Sequence, residues 1–172
     1  MPNYSEQGRK VWIKDAAEAW VPGVIVHEGD TSLKTRTVKY VREDAAAEET
    51  ATVEESGDGV TLKTRNLFDD DDAAVRGYEH VHDLTRLTHL HEPEILQALS
   101  VRFARNQIYT NTGPILLAVN PFKPLPLYSS DQLAAFYGSG LLKSQGLDAP
   151  PLPPHVYASA VFPLLCVLRV KS

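Results

Sequence analysis

The sequence predicts an α+β fold in two parts: a small β-barrel, then a partial α/β core of helices and two strands of a larger central sheet. Three observations carry this. Five short apolar or alternating runs fall within residues 8–68, separated by turn signals. A helical period opens at Glu92, and from Ile108 two strand-like runs flank the turn residues Asn111, Thr112, Gly113 and Pro114. With 172 residues, 43% of them hydrophobic, the chain can bury one ordinary core or two small ones. That composition excludes a disordered chain or a membrane protein.

In chain order, residues 1–10 are polar and lack the apolar segment of a secretory signal, so a cytoplasmic location is the default. Strands are expected at residues 11–13, at 20–27 with an interruption at Pro22 and Gly23, at 33–41, at 50–54 and at 60–64. Turn signals fall at 28–31 and 56–59, and the alanines and acids of 45–49 read as a hairpin loop. Trp12 and Trp20 are either surface aromatics for a ligand or core residues, and core is the commoner fate of such a Trp. Residues 69–77 read as an acidic linker. Its four carboxylates at 69–72 are adjacent, so they repel and stay in water rather than wrap a calcium ion.

Two HxH pairs follow, His80 with His82 and His89 with His91. Each could offer two imidazoles to zinc, but no cysteine or third ligand type lies nearby at a familiar spacing, so no metal site is assigned. Glu92-Pro93-Glu94 opens a helix, with Pro in the first turn and acids at the positive end of the dipole. Ile95, Leu96, Leu99 and Phe103 recur at helical spacing and predict its core stripe. Arg102 and Arg105 lie near its C-terminal end, where Arg102 reads as a cap or surface pair.

The run Ile115 to Val119 shows no polar alternation, which predicts a strand covered on both faces. Asn120 and Pro121 stop it. Residues 123–128, KPLPLY, then form a rigid loop suited to a flat ligand at the end of a strand. Ser129 to Gln132 resembles a capping box, and the helix it starts is expected to end at Gly138. The stretch GSGLLKS at 138–144 is not a phosphate loop: Leu142 replaces the Gly before Lys143, and the segment follows a helix. Residues 148–154 are a proline-rich connector, either a spacer or an extended ligand for an SH3 or WW domain.

The blocks DLTRLTHLHEP at 83–93, Arg102-Phe103, IYTNTG at 108–113 and NPFKPLPLY at 120–128 occur in an order and spacing that resembles the early part of a myosin motor head. The resemblance covers residues 83–160, with a partial motor domain over 78–160. The barrel, by pattern and position, resembles the SH3-like domain that precedes the core in many myosins. The resemblance implies that 120–128 is a purine-binding loop, with Asn120, Pro121, Lys123 and Tyr128 on the adenine side of ATP. It implies ATP and Mg²⁺ as cofactors of the parent family, actin filaments and the rest of the motor heavy chain as partners, and a cytoskeletal place in the cytoplasm. HVYASA at 155–160 resembles the start of a family helix; from Val161 the likeness ends, Pro163 should break a helix, and 161–172 reads as a divergent apolar tail. Its apolar run is far shorter than the roughly 20 residues that span a bilayer.

No GxxxxGK[ST] occurs in the sequence, so the expectation is a motor fragment without P-loop, switches or actin-binding cleft, with no catalytic residue of its own. Any ATP affinity should be millimolar or weaker. Two alternatives stand beside it: an SH3-like interaction module whose barrel binds a protein, and a truncated regulatory chain without nucleotide binding. The net charge of −5 divides into 11 basic against 20 acidic residues up to Glu94 and 6 against 2 thereafter. Charges that sparse read as solvated surface, not a nucleic-acid footprint. Cys166 is the single cysteine, so no disulfide forms within the chain. Strands of a larger sheet left without partners should leave the part beyond Asp83 loosely folded or aggregation-prone alone, while the barrel is expected to fold by itself.

Overall fold

Five antiparallel strands build the first part: β1 (Lys10–Asp15), β2 (Ala19–Glu28), β3 (Arg36–Arg42), β4 (Thr50–Glu55) and β5 (Leu62–Thr64). The computed structural model describes residues 8–15, 19–28, 36–42, 50–55, 62–66 and 77–170. The chain divides into two units, Met1–Leu67 with Thr88–Glu94, and Phe68–Leu87 with Ile95–Ser172. The expected turns at 29–31 and 56–59, the loop at 45–49 and the acids at 69–72 lie outside the described residues.

The strand order is β4-β3-β2-β1-β5, a meander whose last strand returns to the first. The α+β class holds, but among the described residues the ladder is an open sheet with β4 and β5 at its edges. It does not close into a hydrogen-bonded barrel, because the three-residue β5 pairs only with β1. Pro22 does not interrupt β2. Pairing with β3 begins at Gly23 opposite Arg42, so the missing N–H of Pro22 falls where only β1 lies alongside.

The register sets Ile13 opposite both Val21 and Leu62. These three side chains, with Val11 and Ile25, form the core of the unit. Trp12 alternates to the other face of β1 and is also buried, as the core reading expects, whereas Trp20 is half-buried. The Trp12 indole Nε1–H donates to Glu94 Oε1 at 2.6 Å, and the same oxygen accepts from the Asn66 backbone N–H at 2.9 Å. Asn66 in turn clasps the His89 backbone, donating from Nδ2 to its carbonyl and accepting from its N–H, each at 2.8 Å. His91 Nε2 meets the Thr64 carbonyl at 2.8 Å. Residues 88–94 are thereby stitched to β1 and to the end of β5. Glu94, one of the two acids expected at the positive end of the helix dipole, is fully buried.

The second unit holds two 3₁₀ turns, Tyr78–His80 and Leu84–Arg86, and most of α1 (Glu92–Ala104). It continues with the hairpin β6 (Tyr109–Thr112) and β7 (Ile115–Ala118), then α2 (Ser130–Ser144) and α3 (Val156–Val170). Tyr78, Val81, Leu84, Leu87 and Ala98 form its core, with Ile95, Val101 and Leu117 packed against it. The expected stripe on α1 is therefore rotated: Ala98 and Arg102 face inward, while Leu96 and Phe103 are exposed. α1 ends in a Schellman motif at Asn106, φ +61°, where Gln107 N–H reaches the Arg102 carbonyl and Asn106 N–H the Phe103 carbonyl.

Three further expectations are corrected. Ile115 to Val119 is not buried on both faces: it forms one strand of a two-stranded sheet, and Ile115 is 60% exposed. α2 does not stop at Gly138 but runs to Ser144. It ends at Gly146, φ +75°, where Leu147 N–H reaches the Leu142 carbonyl. Gly140 lies inside α2 because α3 passes close by: a Cβ there would stand 2.8 Å from Val161 Cγ1 and 3.4 Å from Leu165 Cδ1. Finally, α3 continues through Pro163. The ring is exposed and leaves the Ser159 carbonyl without its intrahelical donor, a local loss set against the burial of Val161 and Leu165 on either side. The tail at 161–170 is thus helix, with Val161 and Leu165 against Gly140 of α2.

Candidate functional site

The β6–β7 hairpin delivers the candidate loop. Thr112 pairs with Ile115 across Gly113-Pro114, and Gly113 supplies the positive φ, +57°, that such a two-residue turn needs. The turn is pinned from outside by Asp83, whose Oδ1 accepts from Gly113 N–H at 3.0 Å and from Thr85 N–H and Oγ1–H at 3.0 and 2.8 Å. Partial burial pushes the Asp83 carboxyl up, but these hydrogen bonds and the charge of Arg86 outweigh it and hold the group below its ordinary range.

The other end of the hairpin is held by Arg102. Its guanidinium is buried and donates from Nε to Thr110 Oγ1 at 2.9 Å, and from its two terminal nitrogens to the Glu79 and Tyr109 carbonyls at 2.8 Å each. The fork is neither a cap nor a surface pair, as its place in the helix suggests; it fixes β6 against α1 and the Tyr78–His80 turn. Arg105 provides the surface pair, 2.7 Å from Glu79 Oε2.

Val119 N–H closes the hairpin on the Ile108 carbonyl at 3.0 Å, and the loop then leaves the sheet. Asn120 is exposed, and its Oδ1 accepts from Phe122 N–H at 2.9 Å, an Asx turn that carries Phe122 into the left-handed region at φ +51°. Phe122 is 89% exposed. Pro121 is half-buried and Lys123 exposed. Tyr128 closes the loop with about half of its surface free, 53%. None of these four sequence-derived residues lines the cavity of about 140 Å³ between α2 and residues 152–154, whose polar lining is Asn111, Ser139 and Lys143. They lie instead along one open loop.

Behind Tyr128 lies an aromatic cluster that sequence reasoning did not assemble. The Tyr128 and Tyr109 hydroxyls are 2.7 Å apart. Burial and that hydrogen bond, with two nearby phenols, push the Tyr109 hydroxyl up to about 12. His155, buried, stacks on Phe136 at 4.8 Å and meets Tyr109, Tyr128 and Tyr157 at 5.1, 5.7 and 4.6 Å between ring centroids. Its Nδ1 accepts from Tyr157 N–H at 3.1 Å, so Nε2 carries the proton and donates to the Leu127 carbonyl at 2.8 Å. Burial holds the imidazole below its ordinary pKa, with the Leu127 carbonyl acting in the opposite sense. The one local signal for this arrangement is a histidine directly before a helix, positioned to cap it.

The expected capping box at α2 is half made. Ser129 Oγ accepts from Gln132 N–H at 3.3 Å, while Gln132 Oε1 is buried without a partner. Among the described residues no group of three or more His, Cys, Asp or Glu side chains is placed to hold a metal ion, and no helix is long and apolar enough to cross a membrane.

These features define an α+β chain in which a proline-rich loop leaves a β-hairpin and rests on a buried aromatic cluster. Residues 81–162 match the family model of the myosin head (motor domain). The chain is 37% identical over 155 residues to Myosin-8 of Arabidopsis thaliana, covering 89% of this chain and 8% of that protein. It is also 37% identical over 155 residues to Myosin-6 of the same plant. To the Myosin-J heavy chain of Dictyostelium discoideum it is 33% identical over 159 residues, 92% of this chain and 6% of that protein. The chain belongs to the myosin family, as an N-terminal portion of the motor head, and spans less than a tenth of the length of these curated relatives.

Proposed function

We propose that this chain is the N-terminal piece of an ATP-driven, actin-based cytoskeletal motor, and that residues 120–128 contribute the adenine side of its nucleotide site. The observation that carries the reading is the myosin-head match over 81–162, which contains the whole loop. The loop's geometry supports it. Tyr128 offers an exposed aromatic surface and a hydroxyl, and Asn120, with Oδ1 engaged by Phe122, keeps its Nδ2 donors for a ligand. Pro121 and Lys123 flank that surface. The phosphates are a different matter. No GxxxxGK[ST] lies in these 172 residues, so the backbone cradle, the lysine and the Mg²⁺ ligands that phosphoryl transfer requires must come from elsewhere in the motor. The piece alone is inactive as an ATPase and does not carry the actin-binding cleft. Its place is the cytoplasmic cytoskeleton.

The test is an NMR titration of the chain with adenosine and with ATP. Shifts confined to residues 119–128, of millimolar strength or weaker, equal with and without Mg²⁺ and reduced in Tyr128→Ala and Asn120→Ala, are expected. Tight, Mg²⁺-dependent binding, or shifts centred elsewhere, would refute the assignment.

A second reading has its own observation: the first unit has a separate core in Val11, Ile13, Val21, Ile25 and Leu62. An SH3-like interaction module that binds a protein partner would retain that binding in a chain ending at Glu94. Ending it after Asp72 would remove the 88–94 segment that Asn66 and Trp12 hold.

A further inference from the structure

We propose that His155 is the positioning residue of the loop: a neutral imidazole that joins the Leu127 carbonyl to the start of α3 and so sets where Tyr128 stands. The inference rests on the adenine-side reading for its purpose, though its geometry stands apart from it.

Leu127 and Tyr157 are separated by the whole of α2 in sequence, yet one ring satisfies the carbonyl of the first and the N–H of the second. The two partners have opposite polarity. One can only accept and the other only donate, so they select the neutral Nε2–H tautomer and reject the imidazolium, whose Nδ1–H would face the Tyr157 N–H. The ring is also the hub of the cluster, with Phe136 of α2, Tyr109 of β6 and Tyr157 of α3 around it. Tyr128 is therefore held at three points: its hydroxyl by Tyr109, its ring against His155 and Tyr157, and its neighbouring carbonyl by Nε2. Its free face is what remains for a flat ligand. The titratable groups that face His155 are the phenols of Tyr109, Tyr128 and Tyr157. The variant His155→Phe, which has no imidazole, isolates that ring's part in any change of the loop with pH.

The experiment compares the chain with His155→Phe and His155→Gln by amide hydrogen exchange over residues 122–128 and by adenosine titration followed by NMR. His155→Phe keeps the stacked ring and loses both polar contacts; His155→Gln restores a donor near the Nε2 position. We expect the Phe variant to lose protection across the loop and to bind adenosine about tenfold more weakly. The Gln variant should regain most of both. Wild-type protection should fall as pH drops below about 6.5, and the Phe variant should show no such dependence. Equal loop protection in wild type and His155→Phe, or a Gln variant as loose as Phe, overturns the proposal whether or not adenosine binds. If exchange behaves as expected but wild type shows no adenosine shifts, the adenine reading fails and the positioning role stands.

Discussion

Alanine at Gly140 and at Gly138 should change stability in opposite directions, although the two sites are two residues apart on one helix. In a helix interior Gly→Ala stabilises by roughly 0.5–1 kcal/mol, because the backbone loses less freedom on folding. At Gly138 a Cβ meets nothing within 4 Å, so that gain should appear in full. At Gly140 it would stand 2.8 Å from Val161 Cγ1, a stiff β-branched side chain, with Leu165 Cδ1 at 3.4 Å behind it. Forcing an extra carbon into such a contact costs about 1–3 kcal/mol, which exceeds the helix gain. The two variants should therefore differ by about 1–3 kcal/mol, read as urea midpoints from far-UV circular dichroism at constant slope. Val161→Ala removes the obstructing methyl, so Gly140→Ala should be harmless in that background, and the double-mutant cycle should return a coupling of about 0.5–3 kcal/mol. If Gly140→Ala and Gly138→Ala stabilise equally, α3 does not lie against α2 at Val161, and the helical reading of residues 161–170 falls with it.

Three other outcomes follow from polar groups that are held by hydrogen bonds. Trp12→Phe keeps the ring but removes the Nε1–H donor from Glu94, and should lower stability by about 1–3 kcal/mol, more than Trp20→Phe in the same melt. Arg102→Lys keeps the charge but cannot reproduce the fork to Thr110, Glu79 and Tyr109; a loss of about 2–4 kcal/mol is expected, with hydrogen exchange rising first along β6. The carboxyl of Asp83 is held below its ordinary value, so in acid the unfolded chain binds its proton before the folded one does. Its contribution is complete above about pH 4 and is lost as pH falls through the depressed native value; Asp83→Asn should flatten that part of a stability profile recorded between about pH 5 and pH 2.

Much of the fold is legible because it depends on near neighbours. The five strands of the first unit follow from short runs bounded by turn residues, continuous and apolar at Val11 to Ile13 and alternating with a two-residue period at residues 33–41. The start of α2 is equally local, since Ser129 caps Gln132 within one turn. What is not legible depends on partners distant in sequence. Glu94 and Arg102 obey the helix-dipole rule, acid early and base late, and that rule is satisfied whether the side chain faces water or not. Their burial is decided by Trp12, 82 residues away, and by the carbonyls of Glu79 and Tyr109. Gly138 and Pro163 carry the usual signals of a helix end, yet both lie inside helices. One is tolerated at a modest entropic cost, and the other loses a single hydrogen bond on an exposed face.

The same division runs through the candidate site. Asn120, Pro121, Lys123 and Tyr128 are legible because they are contiguous with the strand end that presents them. The cluster behind them is not, because Tyr109, Phe136 and His155 come from three separate elements and each alone reads as an ordinary apolar or capping residue. A loop this rich in proline has few internal hydrogen bonds with which to hold a shape; Leu127 N–H to the Leu125 carbonyl at 2.9 Å is one. Its stiffness limits the conformations it can take, but does not select among them. Selection falls to the few groups that grip it from outside, the Tyr109 hydroxyl and the His155 ring, both of which are buried more deeply than the residue they position. On the adenine-side reading the loop has to stay exposed on one side, so its order must be supplied from the other, where the His155 imidazole has both nitrogens already committed.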